Sequence, residues 1–216
     1  MMATTHALVG VALATAVARV APEFTVVAIA GAVLGSVFPD FDLYADHRKR
    51  LHFPVYYSIL AVPLIGIALA APGPASVAAA LFVVGAALHS LMDALGGGLE
   101  LEPWRGTSER AVYDHFRGRW VPPRRWIRYD GAPEDAAFAA LLGLPALAVH
   151  ESPVREFVAG AVAISAGYAL VRKPLARVWR RTVALVPDAA RPYVPARFTE
   201  ATEAEPDRDG EVASAD

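Results

Sequence analysis

Residues 36–52 read S-V-F-P-D-F-D-L-Y-A-D-H-R-K-R-L-H, a short polar island between two apolar runs. It holds Asp40, Asp42, Asp46, His47, Arg48 and His52. Oxygen and nitrogen donors packed this densely are what a divalent cation takes as ligands. More donors come from outside the island. His89-Ser-Leu-Met-Asp93 sets an imidazole and a carboxylate at i, i+4, on one face of a helix. His6 stands at the head of the first apolar run. The chain has no cysteine, so thiolate ligands and disulfides are excluded, and any metal must be held by His, Asp or Glu.

Each donor also has a plain role. Asp40 and Asp42 after Pro39 suit a turn. Asp46 and His47 suit a solvated loop, and His89 with Asp93 suits a self-satisfied pair. Convergence is what gives them weight. An ionisable pair inside an apolar segment is costly unless partnered. Three aspartates and four histidines gathered at one depth would be relieved by divalent cations. The candidate metal ligands are therefore His6, Asp40, Asp42, His47, His52, His89 and Asp93.

Apolar runs must bring these residues together. They cover residues 7–20, 24–38, 53–71, 75–95, 136–149 and 157–171. Thr4 or Thr5 suits the N-cap of the first. Gly31-x-x-x-Gly35 in the second allows close approach of another helix, and Pro39 ends it. Pro63 marks a kink in the third, and Gly96-Gly97-Gly98 closes the fourth. The chain is 55 % apolar with mean hydropathy +0.36, above the roughly 45–50 % usual for soluble domains. Residues 1–5 carry no Lys or Arg, so the start does not read as a secretory signal.

The expected fold is all-α: a multi-pass helical membrane protein of about six short helices, with a disordered acidic C-terminal tail. Residues 1–98 form the four-helix metal-site core. A Trp/Arg-rich cytoplasmic or interfacial segment spans 99–135, and 136–181 supplies two further membrane helices and a basic flank. Residues 182–216 form the tail, disordered from about 199. Fifteen helical residues reach roughly 22 Å, short of the roughly 30 Å of bilayer hydrocarbon, so a compact soluble bundle is the competing fold. Charge placement argues for the membrane. If six helices alternate sides, 18 of the 20 Lys and Arg fall on one side, leaving only Arg19 and Arg155 opposite. That asymmetry puts the basic side, with both termini and all the candidate ligands, in the cytoplasm. The net charge of −2 divides into about −6 in residues 200–216 and about +4 elsewhere.

Residues 99–131 hold Trp104, Trp120, Trp126, Tyr113, Tyr129 and seven arginines against five acids. A net charge of about +2 suits a lipid interface or structural packing better than a nucleic-acid surface. Nucleic acid is not expected as a partner.

His6, then Gly35-Ser36-x-x-Pro39-Asp40-x-Asp42, then His47-Arg48-x-x-x-His52, then His89-x-x-x-Asp93, resembles the YdjM-like family of membrane-bound metal-dependent hydrolases over about residues 1–100. The chain departs at Lys49, Leu51 and Phe53, where the family reads His-Arg-Gly-x-Thr-His-Ser. More distantly, the pattern resembles the zinc-dependent phospholipase C and P1 nuclease group. The resemblance implies phosphoester hydrolysis with one or two zinc ions, or manganese, on a small-molecule or lipid substrate at the membrane. By it, Asp93 would bridge two metals. Asp40 or Asp42, with His52 and His89, would complete one site, and His6 would serve the other. Asp93, Asp42 and Arg48 would be the catalytic residues, Arg48 stabilising charge on phosphate. The competing function is a non-catalytic membrane scaffold with a structural metal site.

Overall fold

The computed structural model describes residues 1–43, 46–183 and 185–194. The acidic segment 200–216 and its expected disorder lie outside the described residues. The first helix, α1, is Ala3–Val20, and α2 is Thr25–Val37, prolonged by a 3-10 turn over Phe38–Asp42. Then come α3, Pro54–Ala70, and α4, Pro74–Leu95. A short antiparallel hairpin pairs β1, Val112–Asp114, with β2, Arg119–Val121. Two more helices follow, α5 at Pro133–Val149 and α6 at Val154–Val183.

Among the described residues, four stretches are long and apolar enough to cross a membrane: Ala3–Val20, Pro22–Asp42, Pro74–Leu95 and Val154–Val183. Pro54–Ala70 is a shorter apolar helix. Large apolar side chains point outward along these helices, including Leu34, Ile59, Val62, Leu69, Leu141, Ile164 and Leu170. Helices that expose this much apolar surface and bury alanine at their contacts have lipid as their outer solvent. The chain is an all-α, multi-pass membrane protein.

Lipid gives helices no hydrophobic reason to associate, so small residues and close backbone packing hold them together. Ala28 and Ala32 of α2 and Ala80 and Ala86 of α4 are buried. A Cβ on Gly31 would lie 2.5 Å from the Ala78 carbonyl oxygen, and one on Gly35 would strike the Phe82 backbone. The Gly31-x-x-x-Gly35 face is therefore where α4 rests on α2. The other face of α2 packs on α1, α3 packs on α4, and α5 packs on both α1 and α6.

Three local features differ from expectation. Thr4 and Thr5 do not cap α1. Its N-cap is Met2, without a side-chain bond, and the two hydroxyls reach Ser165 and Asp135 instead. The hairpin was not anticipated, since three-residue strands are too short to show a period. α6 also runs past residue 171 through the basic flank. Arg172, Ala176 and Val183 bury one face of that extension. Arg172 donates to Asp130 and to the Leu101 carbonyl. Burial alone would raise the Asp130 carboxyl, but the Arg172 guanidinium outweighs it and holds the carboxyl below its ordinary range.

Packing this close makes the contact intolerant of one methyl group. Gly35→Ala should lower unfolding stability in mixed micelles by about 1–3 kcal/mol, the usual cost of overpacking. Gly66→Ala, with open space around it, should stay within about 0.5 kcal/mol of wild type.

Candidate metal centre

The start of α1, the end of α2, the loop before α3 and the end of α4 meet at one end of the bundle. His52, His89 and Asp93 are almost fully buried there, with Asp40 at the edge, its side chain 25 % exposed. One ligand atom from each of these four lies within 4.8 Å of the others.

Hydrogen bonds fix which atoms face inward. His89 Nδ1 lies 2.7 Å from the Ser36 carbonyl, which can only accept, so Nδ1 carries the proton. His52 Nδ1 lies 3.0 Å from Asp42 Oδ2 and likewise donates. In their neutral forms both rings turn an Nε2 lone pair toward the centre, and the two Nε2 atoms are 3.1 Å apart. Asp93 Oδ2, buried and without a hydrogen-bond partner, is 3.2 Å from His52 Nε2 and 3.4 Å from His89 Nε2. Asp40 Oδ1 is 3.4 Å from His89 Nε2. Four electron-pair donors thus converge, three of them buried and Asp40 at the open edge.

The distances fit a metal. A tetrahedral ion with ligands at about 2.0–2.1 Å has ligand–ligand edges of about 3.3–3.4 Å. The four edges above run from 3.1 to 3.4 Å, and the two remaining edges, both to Asp40, lie within 4.8 Å. His52, His89, Asp40 and Asp93 would hold one divalent cation of the kind that accepts imidazole and carboxylate, zinc or manganese among them. Its positive charge would satisfy the facing lone pairs. The anionic surroundings already act on His52. Burial alone would lower its pKa, but hydrogen bonds to Asp42 and Asp93 outweigh this and raise it.

The other candidate residues sit around this centre. Asp42 lies behind His52 and accepts from four donors, the Nδ1 atoms of His47 and His52 and the backbone N–H groups of Arg48 and Leu51. It orients the loop and does not face the centre. His47 is tied to Asp42 at 2.9 Å and packs edge-on against His52, ring centroids 5.7 Å apart. His6 stacks on His89 with ring centroids 3.7 Å apart, and its Nε2 is 3.5 Å from Asp93 Oδ1. The Met1 ammonium is 3.1 Å from that same oxygen. His6 and one carboxylate oxygen are too few to form a second donor set comparable with the first. Arg48 Nε is 3.4 Å from Asp93 Oδ2, and its Nη1 donates to the carbonyls of Gly97 and Ala111. Asp46 is exposed and pairs with Arg50.

The departures at Lys49, Leu51 and Phe53 now have a local account. Leu51 meets Asp42 through its backbone N–H, a contact any side chain permits. The Phe53 ring packs 4.5 Å from His115, which in turn donates to the Lys49 carbonyl at 2.6 Å. The β1 backbone reinforces this, with Tyr113 N–H bonded to the Arg48 carbonyl. The hairpin therefore braces the ligand loop from outside. Asp46 and Arg48 both have positive φ, 43° and 61°, a costly conformation for residues other than glycine, which such bracing helps sustain.

Three positioning groups escaped the sequence reading. The Ser36 carbonyl orients His89, but a backbone group carries no side-chain signature. His115 falls outside the spacing pattern of the candidate ligands. Asp135 is fully buried and accepts from Met2 N, Thr5 Oγ1 and Gly131 N, anchoring the start of α1 beside His6. Its position after Pro133-Glu134 looks like ordinary first-turn acid placement.

Purified protein should carry about one tightly bound divalent cation per chain, and His89→Ala should lose it on dialysis, as read by elemental analysis. Asp42→Asn should retain the metal but weaken it by about 10–100-fold in chelator competition, as expected when a ligand loses its orienting carboxylate. No curated protein and no solved structure matches the chain. The sequence profile of the YdjM inner membrane protein family matches residues 1–171. The chain belongs to the YdjM inner membrane protein family.

Proposed function

We propose that this protein is a membrane-bound metal-dependent hydrolase that cleaves a phosphoester. The observation that carries the reading is the buried set His52, His89, Asp40 and Asp93, with a guanidinium beside it. A divalent cation held there supplies Lewis-acid activation of water and of a phosphoryl oxygen. Asp42 and the Ser36 carbonyl keep both imidazoles aimed, so little reorganisation is needed as charge develops. Arg48, held by two backbone carbonyls, is placed to stabilise the added negative charge on phosphate. Asp40, the most exposed of the four donors, is the one whose position substrate or water would share. The donor set supports chemistry with one ion, and a second ion would need ligands beyond His6 and Asp93.

One observation favours the non-catalytic scaffold. Four protein donors closing a tetrahedron is the pattern of structural metal sites, whereas catalytic ones keep a position open. Turnover separates the two. Zinc- or manganese-loaded protein should cleave bis(p-nitrophenyl) phosphate, and a chelator should abolish the reaction. Asp93→Asn and Arg48→Ala should each lower kcat by about a hundredfold or more. Stoichiometric metal with no turnover would establish the scaffold instead.

We also propose that the cluster and both termini face the cytoplasm, from the charge asymmetry and from the loops that meet at the cluster end. The chain has no native cysteine, so single-cysteine mapping is direct. In intact cells an impermeant maleimide should label Glu23→Cys, and should reach Arg50→Cys only after permeabilisation. The reverse pattern would overturn the orientation.

A further inference from the structure

The metal centre is not sealed on the Asp40 side. It adjoins a cavity of about 580 Å³, within the range of small-molecule sites. Asp40, His47 and Arg48 line it. So does α6, through Ile164, Leu175, Ala176 and Trp179. Ile164 and Leu175 are 63 % and 48 % exposed, so this wall is continuous with the surface that α6 turns to lipid. The cavity thus joins a polar centre to the apolar side of the molecule.

Its charges define what it can hold. The acids Asp40, Glu100 and Asp130 face the bases Arg48 and Arg172. Arg172 is already committed to Asp130, and Arg48 lies against Asp93. A polyanion such as a nucleotide would find no surplus of cations along the walls. A divalent cation at the centre would supply the one positive charge that a single anionic group needs, and an apolar body would lie along α6.

We propose that the cavity seats a membrane amphiphile bearing a single phosphodiester, with its headgroup at Asp40 and Arg48 and its chain against Ile164, Leu175 and Trp179. The phosphodiester end rests on the hydrolase reading above, while the seat for the chain rests on the cavity itself. The apolar wall orients the chain, and the headgroup sets position.

Trp179 makes the seat readable without turnover. Full-length zinc-loaded protein in maltoside micelles is titrated with a lysophosphatidylglycerol whose acyl chain is brominated, and tryptophan fluorescence is followed. Quenching should saturate, and Trp179→Phe should remove the saturable part. It should occur at mole fractions about tenfold below those needed with brominated maltoside, and glycerophosphoglycerol, which lacks the chain, should compete at least about tenfold less well than the unbrominated lysolipid. Ala3→Phe, at an exposed position lining the cavity, should weaken the saturable phase about tenfold. If that variant fails to fold, Ile164→Phe on α6 serves. Quenching that rises without saturation, survives Trp179→Phe, or is competed equally by the bare headgroup would overturn the proposal. Cleavage of bis(p-nitrophenyl) phosphate with unsaturable quenching sinks this inference alone. Saturable quenching without any cleavage leaves the seat and removes the hydrolase.

Discussion

Two imidazole nitrogens, each with its proton fixed on the far side of its ring, face each other at 3.1 Å in a buried pocket. Two carboxylates close the same space. In a low-dielectric setting such an arrangement of electron pairs needs positive charge at its centre. Much of the surrounding structure places these four groups or keeps them from relaxing apart. The helices supply the ends, Ser36 and Asp42 supply the aim, and the hairpin and Asp135 hold the ligand loop and the first helix where the donors require them.

The helix packing follows from the same need. Donors at the start of α1, the end of α2, the loop before α3 and the end of α4 can meet only if antiparallel neighbours approach closely at one end. Gly31 and Gly35 let α4 rest on α2 backbone to backbone, bringing His89 within reach of the Ser36 carbonyl. In lipid, where apolar burial does not drive association, such contacts and the polar knot itself supply cohesion. Asp42 contributes by orienting the donors and does not face the centre itself. One carboxylate accepting four hydrogen bonds converts a flexible loop into a fixed mount for His52.

Much of this was legible in the residues. The six helices announced themselves as apolar runs punctuated by Pro and Gly, and the converging donors as His and Asp at their ends. The division of labour between Asp40 and Asp42 was not legible, because two carboxylates two residues apart look alike until the 3-10 turn at Phe38–Asp42 sends them in different directions. Thr5 resembled a helix cap because its true partner, Asp135, lies 130 residues away. The extension of α6 was masked by its arginines, which read as a topology signal until Arg172 found Asp130. The hairpin strands are too short to show alternation, so the bracing of the ligand loop emerged only in three dimensions.

The central claim is that His52, His89, Asp40 and Asp93 together hold one divalent cation. X-ray absorption on the zinc-loaded protein tests it most directly. The account predicts a first shell of four nitrogen and oxygen ligands at about 2.0–2.2 Å, two of them imidazoles, and no retained zinc shell in dialysed His89→Ala. A shell without imidazole scattering, or one unchanged by that substitution, would contradict it.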